Sequence, residues 1–407
     1  MIKVFKSISN QRMEKVHSDI RGPLFQKAVQ MRAEGTNVLM LNTGNPATFG
    51  FGMPKSVKDA LVANLDRGVG YCDLKGMPDA REAICAYETS KGIMGLTPND
   101  VFIGNGISEC AEMLLLGMLE AGDEILMPSP GYSLWTNSAH LAGATPVLYR
   151  CDEKADWNPD IADIKSKINS NTKAIVIINP NNPTGALYSK DFLEEVVKVA
   201  REHGLVIISD EIYDRLLYDG ATHVSTGSLC DDLCVVTLNG LSKSHFVCGF
   251  RIGWMAISGK SPQGDVIRNA LTKLSAMRLC SNALPQPVIP AALNDPESTM
   301  AQMQPGGRLY EQRKATMDEL AKIDGISFVP TRGAFYIFPK IDLSKFNLES
   351  DRAFAKGLLE NKHILIVAGS GFDYPEPDHF RIVMLPQRDD LAKAVRDMGD
   401  YLDSVRK

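Results

Sequence analysis

Short apolar runs alternate with longer amphipathic segments through the middle of the chain. The runs are apolar at nearly every position, which is typical of parallel strands that helices cover on both faces. They predict strands at residues 101–104, 124–128, 145–149, 174–178, 205–208 and 233–238. An amphipathic segment predicts a helix over residues 108–121. We therefore expect residues 45–290 to form a large α/β domain built on a mostly parallel, mixed sheet.

The C-terminal part has a different pattern, with shorter strands among helices. Strands are predicted at residues 326–329, 334–338, 364–367 and 379–384. This α+β pattern predicts a second, smaller domain that consists of residues 1–44 and 291–407. A helix predicted around residues 23–34 could pack with either domain. No long polar linker separates the two domains, so we expect them to be in contact, with a site between them.

Composition argues against several classes of function. The 407-residue chain is 44% hydrophobic and 23% charged, with a formal net charge of −5. No cluster of Lys and Arg indicates a nucleic-acid partner, and no apolar run approaches the ~20 residues that span a bilayer. The N-terminus lacks the apolar core of a secretory signal, so we expect a cytoplasmic protein. The eight cysteines form no C-x-x-C pair, and we interpret Cys230 and Cys234, near His223, as buried small hydrophobic residues with no metal.

Polar residues follow three of the predicted strands directly. The strand at 174–178 leads into N-P-N-N-P-T-G, which contains Asn182. The strand at 205–208 leads into S-D-E-I-Y, with Asp210 and Tyr213. The strand at 233–238 leads into N-G-L-S-K, where Lys243 is followed eight residues later by Arg251. Because ligands of open α/β sheets bind at the carboxyl ends of the strands, we expect these side chains to share one site.

This set of side chains suits a pyridinium aldehyde cofactor that carries a phosphate group. An amine can form a Schiff base with the aldehyde, a buried carboxylate keeps the ring nitrogen protonated, and a guanidinium binds the phosphate. Gly104 and Gly106 precede the predicted helix and leave backbone N–H groups free for the phosphate. The same glycines could begin a dinucleotide-binding fingerprint, but Glu109 stands where its third glycine is required. A dehydrogenase is therefore disfavoured.

The order and spacing of these motifs resemble a known family. N-P-N-N-P-T-G at 179–185, D-E-I-Y at 210–213 and S-K-x7-R-I-G at 242–253 resemble the fold-type I aminotransferases that use pyridoxal 5′-phosphate (PLP). The resemblance covers nearly the whole chain. It implies that Lys243 binds the cofactor covalently and that Asp210 pairs with the pyridine nitrogen. It also implies that Tyr213 and Asn182 bind the 3′-oxygen of the ring.

Further cofactor contacts follow from the same resemblance. Tyr132, in P-G-Y, would stack on the ring. The phosphate would be bound by residues of the glycine-rich turn and by the arginine after the lysine, namely Ile107, Ser108 and Arg251. Many relatives carry a serine where this chain has Gly240, so Ser242 is the candidate for that hydroxyl. Tyr71 matches a tyrosine that reaches the cofactor phosphate of the neighbouring subunit, which implies a homodimer with shared active sites.

The resemblance also indicates where the substrate binds. Arg381, in F-R-I-V, would bind the α-carboxylate, together with Asn182 and the backbone of Gly44. No equally clear arginine serves a side-chain carboxylate. Arg21, in D-I-R-G-P, is our candidate, since the Gly-Pro pair would break a helix and let the segment lie over the cleft. Arg21 could equally hold that segment on the domain surface.

Longer segments resemble one group within the family, the bacterial glutamate–pyruvate (alanine) aminotransferases. These segments are residues 19–23, 70–73, 177–182, 277–280 and 305–313. The expected reaction is a ping-pong exchange of an amino group between L-alanine/pyruvate and L-glutamate/2-oxoglutarate. An aminotransferase of aspartate, valine–pyruvate or aromatic specificity and a PLP carbon–sulfur lyase are the alternatives. The aminotransferase-like sensor domain of transcription regulators would need a preceding DNA-binding domain, and only about forty residues precede Gly44.

Overall fold

The structure, a computed structural model, describes residues 10–295 and 297–407. Its strands, in chain order, are β1 (Leu39–Met40), β2 (Val101–Asn105), β3 (Glu124–Ser129), β4 (Thr145–Asp152), β5 (Asn158–Pro159), β6 (Thr172–Ile178), β7 (Val206–Asp210), β8 (Val235–Gly240), β9 (Ile252–Ser258), β10 (Ile326–Ser327), β11 (Tyr336–Ile337), β12 (Lys340–Ile341), β13 (Ile364–Leu365), β14 (Val367–Ala368) and β15 (Phe380–Val383). Its α-helices are α1 (Pro23–Ala33), α2 (Lys55–Ala63), α3 (Pro78–Ser90), α4 (Ile107–Met118), α5 (Leu134–Ala142), α6 (Ile161–Lys167), α7 (Lys190–His203), α8 (Leu241–Ser244), α9 (Pro262–Met277), α10 (Ile289–Leu293), α11 (Glu297–Met300), α12 (Arg308–Leu320), α13 (Asp351–Lys362) and α14 (Arg388–Ser404). Helices α1 and α4 confirm the helices predicted at 23–34 and 108–121.

One large sheet forms the centre of the α/β part, with the strand order β2-β9-β8-β7-β6-β3-β4-β5. Five consecutive strands of this sheet run parallel to one another: β8, β7, β6, β3 and β4. β9 is antiparallel to β2 and β8, and β5 is antiparallel to β4. The mostly parallel, mixed sheet is therefore confirmed. The strand β9 was not predicted, because Ile252 and Gly253 at its start were assigned to the S-K-x7-R-I-G motif; the structure shows that the whole strand is buried.

Two apolar layers cover this sheet, and successive residues of a strand point into different layers. On β6, Val176 and Ile178 pack into the layer formed with α4, α5 and α9. Ile175 and Ile177 pack into the other layer, formed with α6 and α7. Both faces of a strand are thus buried, which explains why the strand sequences are apolar throughout. The same packing leaves the strand ends as the places where polar groups can meet a ligand.

Smaller sheets occupy the C-terminal part. β11, β15 and β14 form an antiparallel sheet in that order, β1 pairs in parallel with β13, and β10 pairs with β12. The strand predicted at 364–367 is thereby divided, since β13 and β14 belong to different sheets. The large sheet lies within residues 45–290 and the smaller sheets lie outside that range, while the exact domain boundaries stay a prediction. Within the described ranges, no α-helix combines the length and apolar character that crossing a membrane requires.

Candidate active site

A cavity of about 400 Å³ lies where the carboxyl ends of β6, β7 and β8 meet the start of α4. Its wall contains most of the predicted site residues: Arg21, Gly44, Ile107, Ser108, Tyr132, Asn182, Asp210, Tyr213, Ser242, Lys243 and Arg251. It also contains residues to which the sequence analysis gave no role: Thr43, Asn45, Leu134, Ile178, Ile212 and Cys248. The N-terminal segment and the large sheet therefore contribute to one site.

Lys243 lies just after β8, in the short helix α8. Its Nζ donates a hydrogen bond of 2.6 Å to the carbonyl oxygen of Gly44. Burial lowers the pKa of the Lys243 amine to about 8. Cys248 opposes this shift in pKa, and the positive charges of Arg381 and Arg251 support it. A lysine with this pKa is partly neutral near neutral pH, as a nucleophile or a proton carrier must be.

Asp210 is the last residue of β7 and is 4% exposed. The indole Nε1 of Trp135 donates to its Oδ2 at 3.1 Å, and the backbone N–H of Ile212 donates to its Oδ1 at 3.3 Å. Burial raises the pKa of the Asp210 carboxyl to about 6. In the described chain, no Lys or Arg side chain forms an ion pair with Asp210. A buried carboxylate without a cationic partner suits a protonated ring nitrogen.

The N-terminus of α4 forms another part of the wall. Its N-cap residue, Gly106, has a φ of 80° and provides no side-chain cap. The first N–H groups of a helix have no partner inside the helix, so those of Ile107 and Ser108 can bind an external acceptor. A Cβ at position 106 would lie 2.8 Å from Cζ of Arg251, so the guanidinium lies against this turn. An uncapped helix N-terminus beside an arginine is suited to a phosphate.

Two departures from familiar motifs have structural explanations. Glu109 accepts hydrogen bonds from the backbone N–H (2.6 Å) and the side-chain amide (3.0 Å) of Asn105, and it forms an ion pair with Arg278. Glu109 therefore holds the turn between β2 and α4. Gly240 leaves no room for a serine, because a Cβ there would lie 2.5 Å from the carbonyl oxygen of Ile252.

Arg381, on β15, lies behind the cavity wall and is 1% exposed. Its Nη1 donates a hydrogen bond of 2.9 Å to Oδ1 of Asn182, and its Nη2 donates to the carbonyl oxygen of Asn42. The guanidinium also lies 4.6 Å from the ring centres of Tyr336 and Phe372. Asn182, which lines the cavity, therefore connects Arg381 to the site.

Arg21 reaches the cavity from a short segment with a fixed backbone. The carbonyl oxygen of Ile20 accepts a hydrogen bond of 2.8 Å from Nδ2 of Asn42, and Asp19 forms an ion pair with Arg352 at 2.5 Å. Within residues 10–295 and 297–407, no carboxylate forms an ion pair with the Arg21 guanidinium. The segment thus carries an arginine without an acidic partner into the wall of the cavity.

Tyr71 is the predicted cofactor residue that the single chain does not bring to the cavity. Its side chain is 82% exposed, and the nearby Val69 is 85% exposed. Large exposed apolar residues often mark a surface that binds another protein. The assignment of Tyr71 to the site of a second subunit stays a prediction.

Other residues contact the predicted ones without any motif to indicate them. Trp135, on α5, binds Asp210, and the hydroxyl of Tyr336 lies 2.9 Å from that of Tyr213. Each comes from an element distant in sequence from its partner, so only the fold reveals the contact. Cys248 is different, because it lies between Lys243 and Arg251 in the sequence. Its place between two predicted site residues could have indicated that it lies near the cavity.

Comparisons with known proteins identify the family of the chain. The chain matches the family model described as aminotransferase class I and II over residues 36–397. Glutamate-pyruvate aminotransferase AlaA of Haemophilus influenzae is 48% identical over 398 residues, which cover 98% of either chain. Among solved structures, an aminotransferase from Escherichia coli has a TM-score of 0.97 at 43% identity and covers 99% of this chain and 100% of that chain. An alanine aminotransferase from Pyrococcus furiosus has a TM-score of 0.93 at 38% identity and covers 98% of this chain and 100% of that one.

Proposed function

The chain belongs to the class I and II aminotransferase family, and from this we propose that it exchanges an amino group between L-alanine/pyruvate and L-glutamate/2-oxoglutarate with PLP as its cofactor. One observation carries the proposal. The amine of Lys243 and the buried carboxylate of Asp210 face the same cavity, and an uncapped helix N-terminus lies beside Arg251 there. The names of the similar proteins support the choice of alanine and glutamate over other amino acids.

The donor set of the cavity fits PLP group by group. Lys243 would hold the aldehyde carbon, and Asp210 would pair with the ring nitrogen. Ile107, Ser108 and Arg251 would bind the phosphate. The remaining ring contacts would come from the polar and aromatic residues of the wall, Tyr132, Asn182, Tyr213 and Ser242. When bound, PLP withdraws electrons from the Cα–H bond of the amino acid.

Lys243 would move the proton in both half-reactions of a ping-pong cycle. Its amine takes the proton from Cα of the amino acid and returns a proton at the end of the half-reaction. A pKa of about 8 leaves a useful fraction of Nζ neutral at neutral pH. Gly44, whose carbonyl oxygen accepts a hydrogen bond from Nζ, would keep the amine directed into the cavity.

The substrate would be oriented from two sides. Arg381 and Asn182 would bind the α-carboxylate, with the backbone of Gly44 beside them. We assign the distal carboxylate of glutamate to Arg21, because its guanidinium lines the cavity without an acidic partner among the described residues. Arg278 is less suitable, since Glu109 already forms an ion pair with it. When alanine is bound, the side chain of Arg21 would turn out of the cavity into solvent.

We propose further that the protein is a cytoplasmic homodimer with shared active sites. The exposure of Tyr71 supports the dimer with shared sites, because a cofactor-binding tyrosine that lies outside its own cavity can serve only another subunit's site. The other predicted site residues line the cavity of a single chain or contact its wall.

The decisive test is to trap the cofactor on its lysine. The purified protein should absorb visible light, and reduction with borohydride should fix the pyridoxyl group on the peptide that contains Lys243, as read by mass spectrometry. Lys243→Ala should lose transamination by several orders of magnitude. Near-normal turnover in that variant, or a pyridoxyl group on another residue, would contradict the proposal.

A panel of amino donors against pyruvate and 2-oxoglutarate then tests the specificity. Alanine and glutamate should be the preferred donors, with each half-reaction observable on its own by stopped-flow absorbance. Release of sulfide or a thiol from cysteine derivatives, without amino transfer, would instead support a carbon–sulfur lyase.

A further inference from the structure

Tyr336 is a buried tyrosine next to the active site that belongs to none of the motifs. It lies on β11, opposite Val383 of the adjacent strand β15, and is 2% exposed. Its hydroxyl lies 2.9 Å from the hydroxyl of Tyr213, which lines the cavity. Either oxygen can be the donor of that hydrogen bond.

The packing around Tyr336 leaves its hydroxyl little freedom. The guanidinium of Arg381 lies over its ring at 4.6 Å, and the hydroxyl of Thr331 donates to its backbone oxygen at 2.5 Å. A Cβ at Gly44 would overlap the Tyr336 hydroxyl. The hydroxyl is therefore confined between the backbone of Gly44 and the phenol of Tyr213.

The number of protons decides the direction of the hydrogen bond. A phenol has one proton to donate and accepts through its lone pairs. If Tyr213 donates its proton to the ring oxygen of the cofactor, as the proposed function requires, it can only accept from Tyr336. Tyr336 must then be the donor. A phenol that accepts a hydrogen bond becomes a stronger donor to its own acceptor.

We infer that Tyr336 is a positioning residue, which fixes the direction of the Tyr213 hydroxyl and strengthens its hydrogen bond to the cofactor's ring oxygen. This inference rests on the proposed function. Tyr336 acts through Tyr213 and does not itself line the cavity. Tyr336 also contacts Arg381, which would bind the substrate carboxylate. It therefore lies in contact with both Arg381 and Tyr213, the residue that would bind the ring oxygen. The titratable groups that act on this tyrosine pair are Arg381, Asp210, Tyr132 and Cys248.

The test uses Tyr336→Phe, which removes the hydroxyl and keeps the ring. In the holoenzyme, the ring oxygen competes with the nitrogen of Lys243 for one proton, and the loss of that proton changes the visible absorbance. A weaker hydrogen bond from Tyr213 leaves the oxygen's negative charge less stabilised, so the proton is held more tightly. The pKa of the visible band should rise by roughly half to one unit, and kcat should fall about threefold to tenfold with a smaller change in KM.

Three further variants separate this role from a merely structural one. Tyr213→Phe should raise the pKa of the visible band by more, and Tyr213→Phe combined with Tyr336→Phe should raise it no further. Tyr218→Phe is the matched control. Tyr218 is 1% exposed in the same apolar cluster as Tyr336, and its hydroxyl has no hydrogen-bond partner among the described residues. It should leave the band and kcat unchanged.

The possible outcomes separate the role of Tyr336 from the proposed function. If Tyr336→Phe behaves like Tyr218→Phe, or if the shifts of the two site variants add fully, the inference is overturned and the proposed function stands. If the wild-type protein loaded with PLP shows no visible band, the proposed function is contradicted, and the inference about Tyr336, which rests on it, is contradicted as well.

Discussion

Replacement of Lys91 by methionine would remove the cation from a buried charge cluster next to the active site. Lys91 follows α3, and its Nζ lies 2.6 Å from a carboxylate oxygen of Glu88. It also lies 2.8 Å from Glu211 and 3.3 Å from Asp214. Glu211 directly follows Asp210 in the chain, so this cluster supports the strand end that would hold the pyridine nitrogen. The side chain of Lys91 is only 13% exposed and those of Glu88 and Glu211 are fully buried.

The expected loss follows from leaving buried carboxylates without their cation. Removal of one partner from a buried ion pair destabilises a protein by about 3–5 kcal/mol. Burial by itself raises the pKa of Glu211 and Asp214. Lys91 is the largest opposing influence, and together with His223 and hydrogen bonds it brings the pKa of both carboxyls below the ordinary value. The pKa of Glu88 stays raised, at about 7, because burial exceeds the attraction of Lys91.

These pKa shifts also give the sign of the pH dependence. The lowered pKa values of Glu211 and Asp214 provide stability that is present above their unfolded values and is lost as pH falls through the folded ones. Glu88 acts in the opposite sense, since its raised pKa removes stability as pH rises toward about 7. In Lys91→Met all three pKa values rise. The loss of stability should therefore be about 3–5 kcal/mol near pH 8 and clearly smaller near pH 5.

Urea unfolding of the holoenzyme at both pH values measures this loss. Lys314→Met is the matched control, because Lys314 pairs at 2.6 Å with Asp318 on the surface, where both side chains are more than half exposed. Such an exposed pair contributes little to stability, because water screens the attraction between the two charges. An equal change in the two variants, or a larger loss for Lys91→Met at acid pH than at alkaline pH, would refute the reasoning.

Three further predictions concern the site itself. Hybrids of Tyr71→Phe and Lys243→Ala chains should contain one intact and one doubly altered site. Mixing the two impaired variants should therefore raise activity above that of either variant alone, and fully active monomers in the ultracentrifuge would contradict this. Arg21→Ala should lower kcat/KM for glutamate and 2-oxoglutarate about 10- to 100-fold more than for alanine and pyruvate, since a hydrogen bond to a charged group contributes roughly 1.5–3 kcal/mol; an equal loss for both pairs would mean a structural role. Trp135→Phe removes the indole N–H that keeps the pKa of Asp210 from rising above about 6. The carboxyl of Asp210 should then be more protonated near pH 6, so PLP titrations of the apoprotein should show binding weakened about threefold to tenfold at that pH and less at pH 8.

The sequence predicts the proposed cofactor-binding residues because they end or follow buried strands. Asp210 and Lys243 end or follow strands that are apolar on both faces, so their places at the sheet edge can be inferred from the sequence alone. Tyr336 and Trp135 could not be found in this way, because each approaches its partner only through tertiary packing. β9 is a different case, because its sequence is apolar and its side chains are buried on both faces of the sheet. Its first residues, Ile252 and Gly253, were interpreted only as part of the S-K-x7-R-I-G motif, so the strand was not predicted.

Arg21 owes its position to contacts that the sequence does not reveal. A Gly-Pro pair can indicate the end of a segment, but the direction of that segment depends on contacts made elsewhere. In the structure, Asn42 and Arg352 hold the two preceding residues, and the guanidinium therefore meets the cavity. Neither contact has a sequence motif, so the position of Arg21 had to come from the fold.

The close contact at Gly44 has a consequence for efforts to change which amino acids the protein accepts. Any side chain at this position would overlap the Tyr336 hydroxyl and lie 2.8 Å from the ring of Phe335, and both tyrosine and phenylalanine are buried. Randomised libraries should therefore leave position 44 as glycine, because its variants would be lost to misfolding before selection could act on them. Diversity belongs at Arg21, which is exposed, and at Leu134, which is only partly buried. Both line the cavity, so substrate range can be selected while the cofactor contacts stay constant.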